Sequence, residues 1–170
     1  TVAEGRASER IVERFLREAK VAAAIRHPNV VDILDFGTTP DGAPFMVMEL
    51  LEGETLLARL VRAPLGALDA VRVMAQVLDG LDAVHRARIV HRDLKPGNVF
   101  LTYADDGDGI FARLLDFGIS YSSDPGSTLR RGALGTDEQL IVGTPEYMAP
   151  ESAQGRPDVD ARADVYSVGV

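Results

Sequence analysis

The spacing of apolar residues divides the first third of the chain into a helix and two strands. Ser8 is typical of a helix N-cap. It precedes an apolar stripe at helical spacing, which consists of Ile11, Phe15, Ala22 and Ile25. The stripe predicts a helix that extends to about Arg26. Residues 1–7 are polar and read as a linker. After a His-Pro-Asn break, residues 30–36 and 45–50 read as strands, and the Gly- and Pro-containing turn between them predicts a hairpin.

The remaining pattern is mostly helical and carries long loops. A short helix is predicted after Thr55. A longer one covers residues 68–88, with one apolar face formed by Val71, Met74, Leu78, Leu81 and His85. Two short strands, at 99–101 and 112–115, flank an acidic turn. Residues 118–145 are rich in Gly, Ser and Thr, as functional loops often are, and a last helix begins near Ala161.

Composition narrows the class of protein. The 170 residues suffice for one domain. With 26 acidic and 18 basic side chains the formal charge is −8, which disfavours binding to nucleic acid or to an anionic membrane. The absence of cysteine excludes a disulfide scaffold, a cysteine-ligated zinc site and a thiol nucleophile. No apolar run approaches the ~20 residues of a membrane span.

The segment 91–98 carries the strongest chemical signal, reading His-Arg-Asp-Leu-Lys-Pro-Gly-Asn. Its Asp93, Lys95 and Asn98 can converge only in a loop, which the Pro-Gly pair favours. Transfer of a phosphoryl group to an alcohol needs a carboxylate to orient the hydroxyl and accept its proton. It also needs a cation beside the phosphoryl group and an oxygen ligand for Mg²⁺. These three side chains match those needs.

Two further motifs follow in order along the chain. Asp-Phe-Gly at 116–118 comes directly after an apolar strand, where a carboxylate is a good ligand for phosphate-bound Mg²⁺. Residues 143–151 read Gly-Thr-Pro-Glu-Tyr-Met-Ala-Pro-Glu. Together the three motifs resemble those of the eukaryotic-like, bacterial-type serine/threonine protein kinases, and the resemblance extends from Ser8 to Val170. It implies an α+β, protein-kinase-like bilobal fold.

The resemblance implies roles for the residues around the reacting groups. Asp93 would be the catalytic base, Lys95 would neutralise the γ-phosphate, and Asn98 and Asp116 would hold Mg²⁺. Thr144 would belong to the substrate-docking loop. The residues with implied structural roles are His91, Arg92, Phe117, Glu151 and Asp164, the last as the anchor of the catalytic-loop backbone.

On the ATP side, Met48 would be the gatekeeper, Glu49 and Leu51 would present backbone groups to adenine, and Phe100 would form the adenine floor. Glu54 is a candidate ribose contact, although its spacing leaves this open. A hydrophobic spine would consist of Ala22, Leu34, His91 and Phe117. His85 lies on an apolar helix face, which favours a packed core residue over a ligand.

Glu18 lies on the inward face of the first helix, and an inward carboxylate should have a cationic partner. In the kinases that partner is a lysine on a preceding strand, and neither this lysine nor a Gly-x-Gly-x-x-Gly loop occurs here. The usual arginine partner of Glu151 would lie beyond Val170. We therefore expect a fold truncated at both ends, with a partial N-lobe at 1–50 and a partial C-lobe at 51–170. The 170 residues alone should be inactive.

The resulting hypothesis is a cytoplasmic protein kinase that acts in signal transduction, with ATP, Mg²⁺ and a Ser/Thr-bearing protein substrate as partners. Its parent protein could be membrane-anchored outside this segment. Regulation by phosphate on Thr136, Thr128 or Ser127, bound through Arg92, follows from the resemblance, and Thr136 is favoured. Two alternatives stay open: a non-catalytic pseudokinase or fragment acting as a binding module, and a small-molecule phosphotransferase of related fold. Lys95 and residues 144–151 argue against the second.

Overall fold

The first helix is longer at its N-terminus than the apolar pattern predicts. The computed structural model describes the backbone of residues 2–103, 109–116 and 144–170, with side chains from residue 12 onward. Helix α1 spans Val2–Ala22, so the linker predicted at 1–7 is wrong and Ser8 lies inside the helix. It ends four residues before Arg26, because the amides of Ala24 and Ile25 bond only three residues back and tighten the last turn.

The predicted hairpin is confirmed, with one irregularity. Strands β1 (Ile33–Thr38) and β2 (Pro44–Met48) pair antiparallel. Ile33 lies opposite Met48 and Asp35 lies opposite Val47, so Leu34 is an extra residue in β1. The bulge leaves Leu34 65% exposed, whereas Ile33 is 3% exposed. The assignment of Leu34 to a hydrophobic spine is therefore wrong, and Ile33 is the side chain that enters the core.

The two central helices form where the pattern places them, but the longer one buries a different face. Strand β3 (Glu54–Thr55) leads into α2 (Leu56–Arg62), whose N-cap Thr55 accepts a bond from the amide of Ala58. Helix α3 spans Ala67–Arg86. Val71 and Leu78, expected inside, are exposed; the buried positions are Val73, Val77, Gly80, Leu81 and Val84. This face is the buried one because Gly80 lets α3 approach the backbone carbonyl of Asn29.

A three-stranded antiparallel sheet packs against α3. Its order is β3–β4–β5, with β4 at Val99–Tyr103 and β5 at Ile110–Leu114, as the two short apolar runs predict. Leu114 also pairs with the segment before β1: the amide of Val31 donates to the Leu114 carbonyl at 3.0 Å, and the Leu114 amide donates to the Asn29 carbonyl at 2.9 Å. These bonds join the N-terminal part to the sheet.

The last part of the chain brings its final helix against α3. Helices α4 (Pro150–Ala153) and α5 (Arg162–Gly169) follow a 3₁₀ turn at Pro145–Tyr147. The start of α5 confirms the helix predicted near Ala161. The Ser167 hydroxyl donates to the Tyr147 carbonyl at 2.7 Å, which ties α5 to that turn. Among the helices described, none is long and apolar enough to cross a membrane.

Candidate active site

Four polar side chains from two distant segments meet at the predicted catalytic loop. A 3₁₀ turn at Pro96–Asn98 reverses the chain, with proline at its start, and returns Asn98 toward Asp93. The side-chain nitrogen of Asn98, Nδ2, donates to the Asp93 carbonyl at 2.8 Å and lies 3.3 Å from the Asp93 Oδ2. The sequence-predicted Asp93, Lys95, Asn98 and Thr144 therefore form one cluster.

Lys95 and Thr144 complete a triangle with the Asp93 carboxylate. The Lys95 Nζ lies 2.7 Å from Asp93 Oδ2 and donates to the Thr144 hydroxyl at 2.9 Å. The Thr144 hydroxyl donates to Asp93 Oδ1 at 3.1 Å. The side chains of Lys95 and Asp93 are 29% and 23% exposed, so the charges are partly desolvated and still open to a ligand. A carboxylate, a cation and a hydroxyl are thus held within hydrogen-bond distance of one another.

The backbone before Asp93 is held by a buried carboxylate on α5. Asp164 is 0% exposed, and its Oδ2 and Oδ1 accept the amides of His91 and Arg92, each at 2.8 Å. Arg92 has φ 65, in the left-handed region that a non-glycine residue rarely adopts. The two bonds therefore hold a strained turn directly before the proposed base. This is the contact that the resemblance implies for Asp164.

His85 takes part in the same network, which the sequence did not indicate. Its Nε2 lies 2.7 Å from Asp164 Oδ2, so it is a hydrogen-bond partner of a buried acid and more than a packed core residue. A histidine on the same helical side as buried apolar positions could have pointed to a buried acid, but nothing in the sequence pairs it with a residue 79 positions away.

His91 is a buried, neutral element of the site. It is 1% exposed, and burial lowers the pKa of its imidazole below the ordinary 6.5. Its Nε2 lies 3.0 Å from the carbonyl of Leu115 and must donate there, because a carbonyl can only accept. The bond connects the catalytic loop to the strand end that precedes Asp116.

Asn98 and Asp116 are brought together by the backbone. The amide of Leu115 donates to the Asn98 carbonyl at 2.9 Å, and Asp116 follows in a left-handed conformation with φ 46. An amide oxygen and a carboxylate are hard oxygen donors, which suits Mg²⁺. Within the described ranges no group of three or more His, Cys, Asp or Glu side chains could hold a metal. The pair could supply two oxygen ligands to a Mg²⁺ ion.

The residues predicted to meet adenine lie around the connection between β2 and β3. Met48 ends β2 and is 38% exposed, and Leu51 packs partly buried against the core. Phe100 lies in the central strand of the three-stranded sheet, between Thr55 and Arg113. Glu49 donates its amide to the Asp32 carbonyl at 3.0 Å.

Sequence reasoning missed the partner of the Glu49 side chain. Its Oε1 accepts from the amide of Asp32 at 2.8 Å and from the Arg113 Nη1 at 2.5 Å. Arg113 lies between two buried residues of β5, Ala112 and Leu114. A cation in the middle of a short apolar strand is the sequence signal that indicates an acidic partner here.

Two further acids have partners other than those expected. Glu18 pairs with Arg14 on its own helix at 2.8 Å, whereas the resemblance implies a lysine on a preceding strand. Its Oε2 is buried and has no hydrogen-bond partner within the described residues. The carboxylate of Glu54, a candidate ribose contact, accepts from Arg62 and from the Tyr103 hydroxyl, each at 2.6 Å. That hydroxyl bond lowers the pKa of Glu54 and ties its carboxylate to the last residue of β4.

The remaining predicted residues are only partly within the described chain. Glu151 lies in the first turn of α4, and its carbonyl accepts the amide of Arg156 at 3.1 Å. Phe117 and the three candidate phosphate acceptors, Ser127, Thr128 and Thr136, lie outside the described residues.

Comparisons with known proteins agree on one family. Residues 1–170 match the family described as the protein kinase domain. The chain is 43% identical over 166 residues to the serine/threonine-protein kinase pkn3 of Myxococcus xanthus, covering 95% of this chain and 29% of that protein. It is 40% identical over 164 residues to the serine/threonine-protein kinase PknL of Mycobacterium tuberculosis, covering 95% of this chain and 37% of that protein.

A solved structure agrees on the fold. The crystal structure of Rad53 1–466 in complex with AMP-PNP superposes with a TM-score of 0.68, covering 91% of this chain and 35% of that one at 24% sequence identity. The α+β arrangement expected from the sequence is confirmed by this likeness. The chain spans 18 to 29% of the length of three Myxococcus xanthus relatives, so the relatives are considerably longer proteins.

Proposed function

The chain belongs to the protein kinase domain family, with bacterial serine/threonine kinases as its relatives, and on this premise we propose that the protein containing it phosphorylates other proteins. It transfers the γ-phosphoryl group of ATP to serine or threonine hydroxyls. The observation that carries the proposal is the triangle of Asp93, Lys95 and Thr144, since it joins a base, a cation and a docking-loop hydroxyl. We divide the chain into a partial N-lobe at 1–50 and a partial C-lobe at 51–170.

Asp93 acts as the general base. As the acceptor hydroxyl oxygen attacks the γ-phosphorus, its proton passes to the Asp93 carboxylate, and the bond from phosphorus to the β–γ bridging oxygen breaks to leave ADP. Support comes from Asn98 and Thr144, whose hydrogen bonds fix the carboxylate, and from its 23% exposure, which leaves it accessible to a substrate. Little covalent chemistry falls to the protein, so positioning matters most.

Lys95 neutralises charge on the transferring phosphoryl group. Its ammonium already touches both Asp93 and Thr144, so a phosphoryl oxygen arriving there meets a cation that is held in place. Asn98 and Asp116 hold Mg²⁺, which when bound neutralises phosphate charge and fixes the phosphate oxygens. Support comes from their oxygen donors and from the Leu115–Asn98 backbone bond that brings them together.

The connection between β2 and β3 receives adenine. Because the Glu49 amide is bonded to Asp32, the backbone group that Glu49 can offer a base is its carbonyl, and Leu51 offers its amide. Phe100 forms the floor below the base and Met48 borders it as the gatekeeper. Glu18 is the acid that α1 contributes to the ATP side of the site.

Regulation acts through the segment that follows Asp116. A phosphate on Thr136, or on Thr128 or Ser127, would form charge-assisted bonds with Arg92, next to Asp93 in the chain. Phosphopeptide mapping of the active full-length protein tests this. No phosphate between residues 120 and 141 would contradict it.

We place the reaction in the cytoplasm, with ATP and a protein as partners. The net charge of −8 supports a partner other than nucleic acid.

Replacing Asp93 by asparagine in the full-length protein tests the assignment. The amide keeps the size of the side chain but cannot take the proton, so we expect radiolabel transfer from ATP to a generic protein substrate to fall by roughly 10²- to 10⁴-fold. Binding of a non-hydrolysable ATP analogue should persist. Asp82→Asn, an exposed acid on α3, is the matched control and should transfer at the wild-type rate.

Three results would contradict the proposal. Phosphoryl transfer at the wild-type rate in Asp93→Asn would show that Asp93 is not the general base. Wild-type transfer to small alcohols or aminoglycosides, with none to protein, would identify a small-molecule phosphotransferase. Wild-type binding of ATP without transfer to any acceptor would indicate the non-catalytic binding module.

A further inference from the structure

One edge of β5 is closed by a side chain instead of by another strand. Strand β4 pairs along the other edge. On the edge away from β4, Gln76 of α3 accepts the Ala112 amide through its Oε1 at 2.9 Å and donates through its Nε2 to the Ile110 carbonyl at 2.9 Å. These are bonds that a neighbouring strand would make, so one glutamine side chain replaces part of a strand.

Asn29 continues the same edge toward the end of β5. Its Nδ2 donates to the Ala112 carbonyl at 2.9 Å and to the Gln76 Oε1 at 3.1 Å. Its carbonyl accepts the Leu114 amide at 2.9 Å, and the Leu114 carbonyl accepts the amide of Val31 at 3.0 Å. Every second residue of β5 is therefore bonded on this edge, and the strand is held on both sides.

The Gln76 amide has a partner for each of its hydrogen-bonding positions. Besides the Ile110 carbonyl, its Nε2 donates to the carbonyl of Arg72 in its own helix at 3.3 Å, and its Oε1 accepts from Ala112 and Asn29. A primary amide has two donor hydrogens and two acceptor lone pairs, and all four are bonded here. The orientation of the amide is thereby fixed, because exchanging its oxygen and nitrogen would set like groups against each other. Helix α3 is held at one position along β5.

The strand held in this way leads directly to a strained residue. Asp116 follows the last residue of β5 by two positions and has φ 46, a left-handed conformation that non-glycine residues rarely adopt. Such a conformation persists only where the surrounding structure over-determines it. The bonds of Leu114 and Leu115 supply part of that support, and Gln76 fixes the strand behind them. A strand free to shift along α3 would let Asp116 relax.

We propose that Gln76 is a positioning residue for Asp116, which it holds in its metal-binding place through β5. The inference rests on the proposed function, since it takes Asp116 as a ligand of Mg²⁺. The bonds of Gln76 go to backbone groups and to Asn29, so its effect on the metal is indirect. Loss of these bonds should therefore weaken metal binding and leave the binding of the protein substrate unchanged.

Gln76→Glu in the full-length protein tests the proposal. The substitution keeps the size of the side chain and an acceptor for the Ala112 amide, but sets a carboxylate oxygen against the carbonyls of Ile110 and Arg72. The Mg²⁺ concentration for half-maximal phosphoryl transfer should rise by roughly 3- to 10-fold, less than the loss of a direct partner of a metal ligand causes. The KM for the protein substrate at saturating Mg²⁺ should stay at the wild-type value. Gln76→Met removes all four bonds without adding charge and should give the same pattern.

Two further measurements need no turnover. Binding of Mn²⁺ to the protein with a non-hydrolysable ATP analogue, followed by electron paramagnetic resonance, should weaken by a similar factor in both variants. Amide hydrogen exchange at residues 112 and 114 should accelerate by roughly 5- to 100-fold in Gln76→Met, because this edge of β5 loses its partner. Gln154→Glu is the matched control: this exposed glutamine follows α4, takes the same change in charge and should leave all these measurements at the wild-type values.

The outcomes separate positioning from a purely structural role. A wild-type Mg²⁺ requirement and Mn²⁺ affinity in both variants, even with a lower urea midpoint, would reduce Gln76 to a structural contact and overturn the proposal. A KM for the protein substrate that rises together with the Mg²⁺ requirement would do the same, since the loosening would then be general. If the wild-type protein binds neither Mn²⁺ nor the nucleotide analogue, the proposed function fails. Unchanged exchange at residues 112 and 114 in Gln76→Met would then overturn the positioning role independently.

Discussion

Replacing Asp164 by alanine should release the catalytic loop while leaving its side chains intact. The Asp164 carboxylate accepts the amides of His91 and Arg92 and contacts the His85 Nε2, at 2.7 to 2.8 Å. Alanine removes all three acceptor contacts and leaves the two amides and the imidazole unsatisfied in a buried place. Arg92 also loses the bond that opposes relaxation from its left-handed conformation.

The size of the effect follows from burial. Removing one partner of a buried charged network costs about 3–5 kcal/mol, because the donors left behind lose both water and their acceptor. Part of this is regained as Arg92 relaxes, at about 1–2 kcal/mol for a left-handed non-glycine residue. A net loss of about 1–4 kcal/mol in the free energy that keeps this turn closed corresponds to roughly 5- to 1000-fold more frequent opening.

Hydrogen exchange of the full-length protein measures this directly. The amides of residues 91 and 92 should exchange faster by that factor in Asp164→Ala, and phosphoryl transfer should fall because Asp93 is no longer fixed. Asp164→Asn is the graded comparison. It keeps the side-chain shape and one acceptor oxygen, so its effect should lie between wild type and alanine. Exchange at residues 91 and 92 that stays at the wild-type rate in Asp164→Ala would refute the reasoning.

Three further predictions concern stability of the full-length protein, measured by urea unfolding. Gly80→Ala should destabilise the folded state by about 1–3 kcal/mol despite the higher helix propensity of alanine, because its Cβ would lie 2.6 Å from the Asn29 carbonyl oxygen. An unchanged urea midpoint would contradict this close approach. Thr55→Ala should cost about 1 kcal/mol by leaving the Ala58 amide uncapped, whereas Thr55→Ser should not. Burial lowers the pKa of His91 in the folded protein, so below about pH 6.5 the unfolded chain binds a proton that the folded one does not. The free energy of unfolding should therefore fall on acidification below that pH by up to about 1.4 kcal/mol per pH unit. His91→Gln should flatten this dependence.

The local motifs could be predicted because their chemistry is local. Asp93, Lys95 and Asn98 lie within six residues, and the proline and glycine between them fix a turn that brings them together. The short helix after Thr55 and the two apolar runs that correspond to β4 and β5 were also predictable from a few neighbouring residues. Only the resemblance to the protein kinases predicts Thr144 at this site, because none of its neighbours in the sequence points to Asp93.

The errors arise where tertiary packing chose between alternatives that the sequence leaves equal. Helix α3 is apolar on two sides, and contact with β5 selected the side that contains Gly80 and exposed Val71. The bulge at Leu34 reversed which of two adjacent apolar residues faces inward, because side chains alternate along a strand. The Glu49–Arg113 pair spans 64 positions, and no local pattern indicates such a contact.

Burial divides the polar contacts of the site into fixed and exchangeable ones. Asp164 is fully buried, so its bonds to the His91 and Arg92 amides have no competing water and hold the backbone permanently. Lys95 and Asp93 remain 29% and 23% exposed, so their contacts with each other and with Thr144 can be exchanged for a phosphate or a hydroxyl at little cost. A rigid backbone that carries replaceable side-chain contacts is what positioning-based phosphoryl transfer requires. It also explains why the anchoring acid lies on a different element from Asp93 and Lys95, the proposed reacting groups.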